Sequence, residues 1–253
     1  MKLGVFMGKE EYKAIILDIP VKGTSVFSFA STDLSKVKEF ILRYKKSIST
    51  AGIFISDYYT EYFINEFKGA KDEDLEKLIK FKIKDLSIYK EGKVVLGFQA
   101  VKKGKDLIKT VSAITGLETV KQAENFVNDL GIKSYSITPS VFPLLNLCNA
   151  GNFALVCSMD KTLTVFFGDS KELNYIRKTD IGQNSVFGLP ATFKYYREAF
   201  KDIKLNSVFT IGPEIQLPER MNAKEIAVNT LIANIDTNKL AGFEVLIGGL
   251  LNL

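Results

Sequence analysis

The sequence predicts a two-lobed α/β protein. The order strand-strand-strand-helix-strand occurs twice, over residues 1–57 and again within 148–253, and a unit of order β-α-β-β-α-β lies between the copies at 58–147. With 253 residues, 46% of them hydrophobic and 25% charged, the chain can build an ordinary globular core.

In the first copy, residues 2–8 and 12–19 read as strands joined by the turn Gly8-Lys9-Glu10-Glu11. Residues 25–30 add a third strand of the meander. Ser31 and Thr32 are suitable N-caps for a helix whose Leu34, Val37, Phe40, Ile41 and Tyr44 recur at helical spacing. Residues 52–57 close the unit as a buried strand.

The middle unit opens on an aromatic strand at 58–67. Asp72, Glu73, Asp74 and Glu76 then start a helix that ends in lysines, the charge order a helix dipole favours. Its core face is Leu75, Leu78, Ile79, Ile83 and Leu86. Residues 93–101 and 107–115 read as a hairpin. Thr119 and Gln122 suit a capping box for a helix that Gly131 stops, and 134–138 is a short strand. From Phe153 the first pattern returns, with strands at 153–158, 162–167 and 173–179, a helix at 189–200 and a strand at 208–212. Two copies with one insertion in the first lobe point to the actin-like, ribonuclease-H-like fold.

Composition narrows the chemistry. There is no histidine, which removes the usual general base of Ser or Cys hydrolases. Cys148 and Cys157 sit in apolar surroundings and read as reduced core thiols; two cysteines without histidine make no common zinc set. The net charge of +5 is spread over lysines with acids between them, a solvated surface rather than a nucleic-acid footprint. The first residues do not read as a signal peptide, and no run reaches the roughly 18 apolar residues of a membrane span.

Several short stretches carry more. The first turn reads Gly4-Val5-Phe6-Met7-Gly8, and the strand Ala154-Leu155-Val156 runs into Cys157-Ser158-Met159. Arg177 is followed five residues on by Gly182, a later strand ends at Gly212-Pro213, and the chain closes on Gly248-Gly249-Leu250-Leu251-Asn252. The hairpin VVLGFQAVKKGKDLIKTVSAIT leads to a helix ending Asp129-Leu130-Gly131-Ile132. On these stretches and the order of elements, the chain resembles over nearly its whole length the actin-like assembly proteins PilM and GspL of type IV pili and type II secretion.

That resemblance implies the following expectations. The family's first turn, Gly-x-Asp-x-Gly, holds phosphate and metal, and its second lobe carries a further Asp-x-Gly turn; here Phe6 and Cys157 stand at the acidic positions. Gly4, Gly8, Gly182, Gly212 and Gly248 are then nucleotide-site remnants, while Gly4 and Gly8 read equally as an ordinary hairpin. About 25 residues separate Gly182 from Val208, so the helical subdomain that covers a nucleotide in PilM and FtsA is missing, as in the compact cytoplasmic part of GspL. Glu10, Glu11, Asp160 and Asp169 lie near enough to substitute for the lost acids and otherwise read as solvated turn charge.

Two function classes follow. One is a non-catalytic scaffold without cofactor at the cytoplasmic face of the inner membrane. It would bind the tail of a PilN-like or GspM-like membrane protein, or the assembly ATPase. It would not bind nucleic acid, and it would reach the membrane only through its partners. The other is an ATP-binding actin-like protein or sugar-kinase-like phosphotransferase with an unusual site. For the scaffold, Tyr58, Tyr59 and Tyr62 are the candidate partner anchors, at the passage from the first lobe into the insert; the bland alternative is that alternate members of the aromatic run fill the core.

Overall fold

The structure is a computed structural model that describes residues 1–18, 25–86, 89–103, 106–140, 142–145, 148, 151–169, 173–180, 185–200, 204–212, 215, 217, 223–225 and 243–251. The first lobe opens with β1 (Lys2–Met7), β2 (Tyr12–Asp18), β3 (Ser25–Ser31), α1 (Leu34–Leu42) and β4 (Thr50–Ile55). The helix N-cap falls one residue after the expected pair: Asp33 accepts from the Ser35 backbone N–H at 2.8 Å. Next come β5 (Thr60–Lys68), α2 (Leu75–Ile83), β6 (Val94–Lys103), β7 (Leu107–Gly116), α3 (Leu117–Leu130) and β8 (Tyr135–Pro139).

The chain order β-α-β-β-α-β of the middle unit is present, but its members divide in space. β5, β7 and β6 form a three-stranded antiparallel sheet backed by α2, through Phe67, Leu75, Ile79, Ile83, Ile108 and Ile114. β8 instead pairs in parallel with β4 and completes the first sheet in the order β3-β2-β1-β4-β8. α3, which leads into β8, packs Ala123, Phe126, Val127 and Leu130 beside α1 on Leu3, Val5, Ala14 and Ile16. The expected capping box at Thr119 is not used. α3 starts directly from β7, so Thr119 lies inside the first turn, and the Leu117 N–H donates to the Lys93 carbonyl at 2.9 Å. Gly131 does stop the helix, with φ of +67°.

The second lobe follows a short helix, α4 (Phe142–Leu145). It comprises β9 (Phe153–Met159), β10 (Thr162–Gly168), β11 (Leu173–Asp180), α5 (Ser185–Ala199), β12 (Ser207–Ile211) and β13 (Ala223–Glu225), before the closing helix α6 (Glu244–Leu251). Its sheet order, β11-β10-β9-β12-β13, repeats the first with the same sense at every pairing. The predicted repeat is therefore a repeat of topology.

Both sheets are apolar on both faces, because both are covered. Leu3, Val5 and Met7 face the helices of the first lobe, and Ala154, Val156 and Phe167 face α5. The opposite faces contribute Phe6, Phe54, Leu155, Cys157 and Phe166 to one shared layer between the lobes. α6 adds Val245, Leu246, Ile247 and Leu250 to that layer. A β-carbon on Gly249 would fall 2.1 Å from the Phe54 ring. Gly249→Ala is therefore expected to lower unfolding free energy by about 1–3 kcal/mol, the usual range for overpacking, with an unchanged m-value in urea titration.

Candidate functional site

The place to examine is the space between the two sheets, where the first turns of both lobes meet. Phe6 is 6% exposed and Cys157 1%, and both belong to the interlobe apolar layer. Cys148 joins the same layer, and burial pushes its thiol up to about 12 and that of Cys157 well above the ordinary range. Both are free thiols, inert by virtue of that burial. Gly4 lets β1 meet α6: its β-carbon would lie 3.2 Å from Leu250. Gly248 lies in α6 itself, and Gly182 falls outside the described residues. Gly212 has φ of +98°, and a β-carbon there would strike the Ser158 carbonyl at 1.9 Å. Among the glycines described, Gly4 and Gly212 thus serve close packing of backbone and helix.

The two hairpin turns touch each other. Asp160 and Lys161 both have positive φ, 52° and 63°, which makes a tight two-residue turn between β9 and β10. The Asp160 carboxylate accepts from the backbone N–H of Lys9 at 2.5 Å and of Glu10 at 2.9 Å. Lys161 forms an ion pair with Glu10, while Glu11 pairs with Lys13 at 3.0 Å. Asp160 is therefore not a solvated turn charge: it bridges the lobes.

Tyr58 and Tyr59 stand beside this contact, half-buried and edge to face at 5.1 Å. The Lys9 ammonium lies 4.0 Å from the centre of the Tyr58 ring and donates to its hydroxyl. Tyr62 has a different role. It is 9% exposed, packs against Phe142 and Phe166, and donates to Asp57 at 2.6 Å. As an interior residue it offers no surface anchor, which corrects the expectation drawn from the aromatic run. Alternation along β5 explains the inversion, since Tyr62 points into the layer between the lobes.

Asp57 is 1% exposed at the end of β4. Its Oδ1 accepts from Tyr62 and, at 3.1 Å, from Ser140. Burial raises its pKa to about 6; the hydroxyls of Tyr62, Thr164 and Ser140 and the charge of Lys178 act against the rise. Thr164 influences the carboxyl without completing a hydrogen bond by strict geometry, since Asp57 Oδ2 and Thr164 Oγ1 are both buried and unpartnered. Lys178 on β11 donates to the carbonyls of Thr60 and Tyr58 and pairs with Glu61 at 2.7 Å. It thereby fastens the second lobe to the free edge of β5.

On the other side of the insert, an open groove of about 460 Å³ runs between the edges of β6 and β8, which among the described residues pair with no further strand. Gly97, Phe98 and Gln99 line one wall, Ser136 to Pro139 the other, with Phe142 and Pro143 of α4 at one end. Phe98 is 38% exposed. Among the described residues no cluster of His, Cys, Asp and Glu is suited to a metal ion.

Comparison with solved structures identifies the architecture. The chain is similar to one in the PilM–PilN type IV pilus biogenesis complex, with a TM-score of 0.75 at 11% identity, covering 99% of this chain and 98% of that one. It is also similar to the cytoplasmic domain of EpsL, an inner-membrane component of the type II secretion system of Vibrio cholerae, with a TM-score of 0.65 at 12% identity and coverage of 100% and 95%. A Bacteroides thetaiotaomicron protein of unknown function with the actin-like ATPase fold matches over 84% of this chain and 82% of its own at a TM-score of 0.50 and 12% identity. The chain has the actin-like ATPase fold. No protein-family model matches it, and neither does any curated protein sequence.

Within this actin-like fold, sequence reasoning placed both lobes' first turns but missed two features. Asp57 gave no signal beyond ending a strand, because a buried carboxylate is defined by neighbours from three distant segments. The groove went unseen because it depends on which strands end up at sheet edges. The Asp57 carboxyl generates a pH test. Its pKa in the folded state lies above its ordinary value of 3.8, so its favourable contribution is complete below pH 4 and is lost as pH rises to about 6. Asp57→Asn, which keeps an acceptor for Tyr62, should remove that loss. Urea denaturation should show wild type falling relative to the variant by a few kcal/mol across this window, at about 1.4 kcal/mol per unit of pKa.

Proposed function

We propose that this protein is a non-catalytic scaffold of a type IV pilus or type II secretion assembly platform, acting at the cytoplasmic face of the inner membrane. The observation that carries this reading is the shared apolar layer. The two positions where the resemblance puts phosphate-side and metal-side carboxylates are Phe6 and Cys157, and both are packed into that layer with α6. Phosphoryl transfer needs a charged metal clamp and a positioned nucleophile, and Phe and Cys at these two positions offer no carboxylate to hold the metal.

The groove between β6 and β8 gives the scaffold its partner site. Two open strand edges offer backbone N–H and C=O groups to an extended segment, and Phe98, Pro139 and Phe142 offer apolar contact for alternate side chains. A short cytoplasmic tail of a PilN-like or GspM-like membrane protein fits that description, and the similar chain of the PilM–PilN complex supports a PilN-like partner. On this reading the protein reaches the membrane through its partners; among the described residues no helix is long and apolar enough to cross a bilayer. The assembly ATPase is a second partner on this reading.

Two measurements test it. A peptide copied from the cytoplasmic tail of the membrane partner should bind, and Phe98→Ala should weaken binding by about 1–2 kcal/mol with little change in melting temperature. Unchanged affinity would remove the groove from the reading. Saturating ATP with magnesium should leave the melting temperature unchanged. A magnesium-dependent stabilisation near 2.7 kcal/mol, expected at a hundredfold excess over the dissociation constant, would favour the nucleotide-binding alternative instead.

A further inference from the structure

We propose that the turn between β1 and β2 is an anion seat whose resident anion is the chain's own Asp160 carboxylate, so that the protein joins its two lobes there without a phosphate. Two successive backbone N–H groups, of Lys9 and Glu10, converge on the two oxygens of one carboxylate. Converging amides of this kind form a nest for anions, and bonds from backbone N–H to an ionised carboxylate belong to the stronger class. The donors and the acceptor lie 150 and 151 residues apart and belong to different lobes.

The local sequence is fitted to this contact from both sides. Gly8 has no β-carbon; one there would lie 3.3 Å from Asp160 Cγ and 2.5 Å from the Glu11 carbonyl. The left-handed backbone at Asp160 and Lys161, which Asp tolerates better than most residues, carries the carboxylate across the gap. The Lys161–Glu10 ion pair spans the same two turns, and the Lys9 ammonium is engaged by Tyr58. An incoming phosphate would therefore have to displace a carboxylate already in place and approach Glu10 as well. The glycine expected to admit a phosphate admits Asp160 instead.

Amide hydrogen exchange and phosphate titration of the full-length protein, both followed by NMR, test this. Asp160→Gly removes the carboxylate and keeps the left-handed turn without strain. In wild type the Lys9 and Glu10 amides should exchange on the order of ten- to a hundredfold more slowly than in Asp160→Gly. Inorganic phosphate at constant ionic strength should shift those two amide resonances in the Gly variant and leave them unmoved in wild type. Asp160→Asn, with one neutral acceptor, should fall between the two and serves if the Gly variant does not fold. Equal exchange in wild type and variants would overturn the bridge. Phosphate-induced shifts in wild type would overturn the resident anion. Deprotected amides that ignore phosphate would reduce the contact to an ordinary bond between turns.

Discussion

The structure depends on one constraint: two five-stranded sheets, each apolar on both faces, must bury the faces that their helices do not cover. They bury them against each other, with α6 between. This explains residues that look unrelated in the sequence. Phe6 and Cys157, 151 positions apart by their numbering, are members of a single layer together with Phe54, Leu155 and Phe166. Gly4 and Gly249 are glycines because α6 lies directly on β1 and β4. Burial of apolar area is non-directional and stabilises in proportion to the area removed from water, so the layer holds the lobes together without fixing their orientation closely. Orientation requires directional contacts.

Those contacts form a polar belt around the layer. Asp160 joins the two hairpin turns, Lys178 joins β11 to β5, and Lys109 on β7 donates to Asn174 on β11 at 3.2 Å. Asp57 lies at the centre, where strand β4, the insert and the second lobe converge. A buried carboxylate is costly, and its partners offset only part of that cost, as the raised pKa shows. Its neighbours Tyr62 and Ser140 are themselves buried, so the hydrogen bonds that hold Asp57 also fix the geometry with which the insert leaves the first lobe. The apolar layer supplies adhesion, and the belt selects one closed arrangement.

Much of this fold was legible because both copies of the β-β-β-α-β unit announce themselves locally, by alternation in strands and by caps and spacing in helices. Gly131 marked a helix end that has the expected left-handed backbone. What local pattern cannot give is partnership. β8 reads as the last strand of the middle unit, yet it pairs with β4, since strand pairing is decided across sequence distance. The same limit explains Tyr62 and Asp160. Each was read by type and position, an aromatic near a junction and an acid in a turn. The one became interior and the other a bridge, through contacts with residues far along the chain. The β13 strand, Ala223–Glu225, escaped notice because three residues carry no periodic signal.

Strand edges complete the physical picture. An unpaired edge offers backbone groups to any passing strand, so a stable protein covers or blunts it. Two of the edges here face each other: β11 approaches β5, and Lys178 caps the carbonyls of Tyr58 and Thr60 where the chain enters β5. The outer strand β3 carries serines at 25, 28 and 31, which lower its appeal to an apolar partner. The edges of β6 and β8 are treated differently. They stand on either side of one groove, β6 is ten residues long, and Phe98 is left partly exposed between them. Side chains fill the layer between the lobes, while the outer edges of β6 and β8 pair with no further strand among the described residues.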